Sequence, residues 1–394
     1  MPNKIIPNSY NGWDPLKQVI LGNCYTPNFF DDVKDKKLRH LLQKLLYETQ
    51  EDLKGFKNAL EEAGVEVLQL PSNISCANVN NPTENVNELF EIRGEAWNTW
   101  LTTRGGLPKP WIAPRDRLIT YGDKLSVTGA DFGNIKFLLD NWIDSKYLDT
   151  KLADSFNSEN HGPLQPSKYM FDDRGFNWKN RLKVGTWEEQ QYRTMSWGYQ
   201  APSVTRVGDT LVVDQIEVSN LGTYLLDNYP QFSQTNHALG GHNDGVFCPI
   251  KPGHLVTTDE KTDYSDTFPG WHVHVIKNPY QAANVGAFNA QRREVNGRWW
   301  TPETKDNSEY VQFINSWLTE WVGEVEETVF EVNMLVINPE LVFCTNYNKG
   351  VFDYFESIGV TPHIVPFRHR FFWDSGLHCL TLDTVREGGM QSYF

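Results

Sequence analysis

Between Asp32 and Gly64 the apolar positions Leu38, Leu41, Leu42, Leu45, Leu46, Leu53, Phe56 and Leu60 recur at helical spacing. They fall on one face of a helix that Gly64 should stop. Ahead of it, Trp13 to Asn23 reads as a turn followed by a short apolar strand. Behind it, Val65 to Pro71 reads as a strand closed by proline. The same order returns near the other end. Tyr310 to Val322 is helical in pattern, and Asn333 to Asn338 is a buried strand followed by Leu341 to Cys344. Val351 to Ile358 is a helix and Val360 to Pro366 another strand. The segment Ala63-Gly64-Val65-Glu66-Val67 is echoed by Ile358-Gly359-Val360-Thr361-Pro362, which hints at a repeated strand–helix–strand module.

Residues 144–200 break the pattern. They are polar and aromatic with scattered glycine and proline, and they show little periodicity. A stretch of that length without regular elements is either disordered or a functional lid. Its aromatic residues (Tyr169, Phe171, Phe176, Trp178, Trp187, Tyr192, Trp197 and Tyr199) argue against disorder. The expectation is an ordered excursion over a site. No linker divides the chain, so residues 1–394 are expected to form one domain.

Composition narrows the function. The 394 residues carry a formal net charge of −14, which would repel nucleic-acid phosphates and suits a cationic ligand or plain solubility. Cys24, Cys76, Cys248, Cys344 and Cys379 are an odd number, widely spaced and without a C-x-x-C. That is neither a disulfide framework nor a zinc site, and it points to a reducing compartment. The opening residues hold no hydrophobic signal core, and no apolar run reaches the roughly 18 residues that would span a bilayer. A soluble, cytoplasmic protein without metal or cofactor is expected.

Three segments carry chemistry. Asp116, in Pro114-Arg115-Asp116, stands at the mouth of an apolar strand. His242 and Asp244, in Gly240-Gly241-His242-Asn243-Asp244-Gly245, would face the same way if that segment were extended. Cys379 follows His378 behind the turn Asp374-Ser375-Gly376. A lone cysteine is ordinarily core filler; the acids and histidine upstream make this one a candidate nucleophile.

Taken together, Trp13-Asp14-Pro15-Leu16, Pro114-Arg115-Asp116, His242-Asn243-Asp244 with Pro252-Gly253, and Gly376-Leu377-His378-Cys379 through Gln391-Ser392-Tyr393 resemble, in order, the L-arginine:glycine amidinotransferase family. That family is similar to the arginine deiminases and belongs to the pentein superfamily. The resemblance implies an α/β fold, a pentein α/β-propeller with five-fold pseudosymmetry. It implies that Asp116 and Asp244 hold a guanidinium by paired, charge-assisted hydrogen bonds. Cys379 would attack the guanidinium carbon as a thiolate, and His242 would protonate the departing amine. An amine such as glycine would then take the amidino group from the covalent intermediate. The expected partners are small molecules, arginine and an amine, with a homodimer as a candidate assembly; nucleic acid and membrane are not expected.

Three positions depart from the family pattern. Gln200 stands where the family has the Asp that orients the histidine; an alternative register gives that role to Asp209. An amide accepts a hydrogen bond from imidazole but carries no charge, and the comparable change in serine proteases costs about 10⁴ in rate. Lys261 stands in place of an arginine that would attract the substrate carboxylate. Glu326 and Glu327 replace two serines near the amino-acid end of the substrate, or else form a solvated acidic run. Three functions stay open: amidino transfer from arginine, hydrolysis of a guanidine at the same Cys/His site, and a weakly active or non-catalytic guanidine-binding relative.

Overall fold

The computed structural model describes residues 4–31, 33–74, 107, 109–129, 133–157, 160–161, 163–164, 198–215, 218–238, 242–257, 264–276, 304, 307–318, 321–322 and 332–394. In chain order the strands are β1 (Leu16–Leu21), β2 (Glu66–Gln69), β3 (Leu118–Tyr121), β4 (Lys124–Val127), β5 (Leu148–Asp149), β6 (Phe156–Asn157) and β7 (Asn160–His161). They continue with β8 (Val204–Val207), β9 (Thr210–Asp214), β10 (Gln234–Ala238), β11 (Phe247–Lys251), β12 (His254–Thr257) and β13 (His272–Val275). The last four are β14 (Leu335–Asn338), β15 (Leu341–Cys344), β16 (Thr361–Ile364) and β17 (Thr381–Arg386).

Among the described residues these strands form five three-stranded sheets, with β6 and β7 as a separate ribbon. Each sheet has one plan. Two strands run antiparallel and the third lies parallel to the second, as in β3-β4-β5, β8-β9-β10, β11-β12-β13 and β14-β15-β16. The fifth copy is split across the chain: β17 pairs antiparallel with β1, which runs parallel to β2. A parallel neighbour needs a crossover. The helices Lys36–Glu62, Gly133–Trp142, Leu221–Asn228 and Lys349–Ser357 provide it in four of the five sheets. The echo in the sequence is this module: Gly64 and Gly359 both end a crossover helix at positive φ (80° and 70°), just before a third strand.

The long helix follows its apolar stripe. Leu42, Leu45, Leu46, Leu53, Phe56 and Leu60 are buried, each worth roughly 1.5–3 kcal/mol of removed apolar surface. It starts later than Asp32, at Lys36, because the Asp35 carboxylate caps it by accepting from the Leu38 amide at 2.8 Å. The later helix is shorter than its pattern, spanning Ser308–Trp317; Trp321 and Val322 are still buried, packed from outside the helix into the same cluster. Asn333 is not part of β14, which begins at Leu335. Within the stretch expected to be irregular, β5, the helix Lys151–Ser155 and the β6–β7 ribbon are regular. They are two to five residues long, too short to leave a period in the sequence. Residues 165–197 lie outside the described residues. Tyr199 is described and buried, its hydroxyl 2.8 Å from that of Tyr121. Among the described residues no helix is long and apolar enough to cross a membrane.

The modules meet at one carboxylate. Thr120, Arg206 and Asp383 are each the third residue of their sheet's first strand, β3, β8 and β17. Asp383 takes Arg206 at 2.7 Å, Arg115 at 2.7 Å and Arg386 at 2.8 Å, with the Ser9 hydroxyl at 2.8 Å. All four side chains of the charged cluster are at most 5% exposed. Three guanidiniums against one carboxylate leave donors over. Main-chain carbonyls accept them: His378 and Thr381 from Arg115, Ser9 and Thr120 from Arg206, Asp14 and Val336 from Arg386. These contacts draw on four of the five modules and on the segment before β1. Thr120 adds a hydroxyl donated to the Asp383 carbonyl at 2.8 Å.

Removing one partner of a buried ion pair costs about 3–5 kcal/mol, because the remaining charge stays desolvated. Asp383→Asn leaves three such charges, so its urea midpoint should fall by at least that free energy, or the variant should fail to fold. An unchanged midpoint would show that Asp383 does not tie the modules. The acid limb of stability has the same origin. Burial alone would push the Asp383 carboxyl up, but Arg206, Arg115 and Arg386 hold it well below the ordinary aspartate value. The unfolded chain then takes up a proton that the folded chain refuses, so stability is present above about pH 4 and is lost as pH falls below it. Urea midpoints measured from pH 7 down to pH 3 should decline below about pH 4; a flat profile there would remove Asp383 as the cause.

Candidate active site

The first strand of each module is entered by a tight turn, and these turns gather at one end of the first strands. Pro114–Asp116 enters β3, Ala201–Ser203 enters β8 and Asn243–Gly245 enters β11, each as a single 3-10 turn. A proline in the first two presets their φ. Asn333 precedes β14, and His378-Cys379 precedes β17. Polar side chains stitch neighbouring turns together. Arg115 bonds the His378 carbonyl at 3.0 Å, Asn243 bonds the carbonyl of Ser203 at 3.2 Å, and Asn333 bonds that of Asp244 at 3.2 Å. A cavity of about 50 Å³ lies among the first strands, bordered by Arg206, Phe247, Met334 and Val336, and Asp244 and His378 border it as well.

Around Cys379 the geometry is close and almost fully buried. Its Sγ lies 3.4 Å from Asp244 Oδ2 and 2.9 Å from Asn333 Nδ2. Cys379 is 1% exposed. The same Asp244 oxygen accepts a hydrogen bond from His378 Nδ1 at 2.6 Å. The other, Oδ1, is buried and has no hydrogen-bond partner among the described residues. Burial by itself would raise the Asp244 carboxyl; the hydrogen bond from His378 and the charges of His378, His242 and Arg115 bring it below the ordinary value. Burial and the neighbouring Arg115 hold His378 down, against the opposing pull of Asp244. At neutral pH the pair is a carboxylate and a neutral imidazole whose Nδ1–H donates. An ionised carboxylate with a buried, unmatched oxygen can accept hydrogen bonds from a cation, and here it lies next to a thiol.

His242 is placed differently from the extended arrangement expected of it. It caps a 3-10 turn at φ −73° and ψ 113°, so His242 and Asp244 do not share a strand face. Its Nε2 is 2.5 Å from Gln200 Oε1. A carboxamide oxygen only accepts, so Nε2 carries the proton in this bond. The register with Gln200 beside the histidine is therefore the observed one. Asp209 lies instead in the turn between β8 and β9, its amide bonded to the Gln391 carbonyl at 2.9 Å.

Asp116 is half-buried at the end of its turn, which packs against β17 and against Ala201–Ser203, while that turn packs against Asn243–Gly245. The fold thus brings Asp116, Gln200, His242, Asp244 and Cys379 to one set of neighbouring turns. Lys261, Glu326 and Glu327 lie outside the described residues, as does Cys76. Sequence reasoning missed two groups: Asn333, taken for the first residue of a strand, and His378 as the partner of Asp244. A signal for Asn333 existed, since it is a polar residue at the mouth of an apolar strand, as Asp116 is. Among the described residues no cluster of three or more His, Cys, Asp or Glu side chains could hold a metal ion. Cys24 and Cys248 are thiols in the core, pushed up by burial, Cys248 to about 12.

No protein-family model matches the chain, and no curated protein matches it. Solved structures do. The inosamine-phosphate amidinotransferase StrB1 from Streptomyces griseus superposes with a TM-score of 0.59 at 16% identity, over 99% of this chain and 99% of that one. SxtG, an amidinotransferase from Microseira wollei in the saxitoxin biosynthetic pathway, gives 0.57 at 16% identity, over 98% and 99%. At that identity the likeness is one of fold. The chain has the pentein fold, a five-fold pseudosymmetric α/β-propeller of the form seen in these two amidinotransferases.

Proposed function

We propose that the protein transfers the amidino group of L-arginine, or of a similar guanidine, to an amine through a covalent intermediate on Cys379. The observation that supports this most is the Asp244 carboxylate. One oxygen lies 3.4 Å from Sγ and bonds His378, while the other is buried without a hydrogen-bond partner among the described residues. A guanidinium donating N–H groups to that free oxygen would set its electrophilic carbon beside the sulfur. Asp116, on the adjoining turn, supplies the second carboxylate. The fold is also that of two amidinotransferases. The whole chain is read as the single domain that carries this activity.

The steps balance without a cofactor. The Cys379 thiolate forms an S–C bond to the guanidinium carbon; the C–N bond to the departing amine breaks as that amine receives a proton from His242. In the second half, His242 takes a proton from the acceptor amine, whose nitrogen forms a C–N bond while the S–C bond breaks and its electron pair returns to sulfur. Hydrolysis would differ in the first half: the C–N bond to a terminal nitrogen breaks, that nitrogen leaves as ammonia with a proton from His242, and water then displaces the cysteine to give citrulline. Lys261, Glu326 and Glu327 are proposed to contact the amino-acid parts of donor or acceptor.

Intact-protein mass spectrometry after mixing with arginine should show one amidino group on the parent protein and none on Cys379→Ala. With glycine added, ornithine and amidinated glycine should appear together. Citrulline in their place would assign hydrolysis, and ornithine released by Cys379→Ala would remove the cysteine from the chemistry.

Gln200→Asp replaces the carboxamide that lies 2.5 Å from His242 Nε2 with a carboxylate on a side chain one methylene shorter, which puts a negative charge near that imidazole. It stabilises the imidazolium that donates the proton, so turnover should rise, within the bound of about 10⁴ set by the reverse change in serine proteases. Loss of activity in a folded Gln200→Asp protein would mean that an uncharged partner is required, and the arginine reading would fall with it.

A further inference from the structure

Asn333 sits 1% exposed where three turns meet, and each end of its carboxamide is committed. Its Oδ1 accepts from two consecutive amides, those of His378 and Cys379, both at 3.1 Å. Because those partners are donors, the oxygen end is fixed, and Nδ2 must face the other way. There it donates to the Asp244 carbonyl at 3.2 Å and to Cys379 Sγ at 2.9 Å. The fit depends on Gly376, since a Cβ there would stand 2.5 Å from Asn333 Oδ1.

Two groups of opposite character therefore contact the sulfur. Asp244 Oδ2 accepts, and so favours the thiol; Asn333 Nδ2 donates, and so favours the thiolate. We propose that Asn333 is a catalytic residue whose amide donates to the Cys379 thiolate, both when it attacks and when it is expelled. This rests on the reading of Cys379 as the nucleophile. When a guanidinium neutralises Asp244, the pull toward the thiol weakens and the Asn333 donor remains. When the acceptor amine displaces the cysteine, the breaking S–C bond returns its electron pair to a sulfur that already has a donor in place. Asn333 is thus placed to serve both half-reactions with one unmoving group.

The test reads the sulfur itself. The ultraviolet absorbance of the thiolate is titrated as the difference from Cys379→Ser, and Cys379 alkylation by iodoacetamide is followed against pH. Asn333→Asp keeps an oxygen for the two amides and removes the donor; Asn333→Ala removes both and serves where the first variant retains a donor by protonation. Thiolate formation should move at least about one pH unit upward, so alkylation at pH 7 should slow about tenfold. Turnover should fall with little change in KM for arginine. Folded variants whose titration and alkylation match the parent would overturn the proposal and leave Asn333 a scaffold residue. Failure of the nucleophile reading would look different: the parent protein would carry no amidino adduct on Cys379.

Discussion

Asp383 is one negative charge in a space that holds three arginines, and the arrangement of the five sheets depends on that imbalance being resolved. Burial of Arg115, Arg206 and Arg386 is tolerable only if every guanidinium finds acceptors, since an uncompensated buried charge is among the costliest defects in a protein. One carboxylate is insufficient for all of them. The remaining donors reach main-chain carbonyls of different modules, and this converts a solvation demand into a set of distances between sheets. Four hydrophobic clusters of the described residues pack between the elements, but such packing is non-directional and would accept small slips between modules. The arginine contacts are directional and do not.

The active-site candidate inherits its precision from this cluster. Arg115 bonds the carbonyls of His378 and Thr381, residues on either side of Cys379, while its other arm holds Asp383. The backbone that carries the thiol is thereby tied to the same point that fixes β3, β8 and β17. From the opposite side Asn333 holds the amides of His378 and Cys379. A thiol pinned through its own backbone by two neighbouring modules would, as the proposed nucleophile, lose little freedom on reaching the attacking geometry.

Charge in the site is distributed unevenly between its two histidines. His378 faces a carboxylate and is held neutral by burial and by Arg115; His242 faces the uncharged carboxamide of Gln200. The Asp244 carboxylate is therefore hydrogen-bonded to the histidine next to the thiol, and the Nε2 of the histidine proposed for proton transfer is bonded to an uncharged carboxamide. Asp244 consequently serves two partners with one oxygen, while the other is buried without a hydrogen-bond partner among the described residues. The proposed guanidinium would answer that oxygen.

How much of this was legible in the sequence follows from range. Elements governed by neighbours a few residues apart could be read directly: the stripe from Leu38 to Leu60, the glycine stops at Gly64 and Gly359, and the apolar strand Leu341–Cys344. The motifs around Asp116, His242, Asp244 and Cys379 could be read as candidate chemistry because each lies within a short stretch of chain. The pairings could not. Asn333 to Cys379, His378 to Asp244 and Arg206 to Asp383 join residues 46, 134 and 177 positions apart, and no local preference encodes such a contact. The extended reading of His242 to Asp244 failed for the same reason. Residue order along the chain was enough to fix the short elements and the local motifs. Only the closure of β17 onto β1, which completes the fifth sheet, decided which of those residues face one another, because burial and hydrogen-bond satisfaction are properties of the assembled ring and not of any segment.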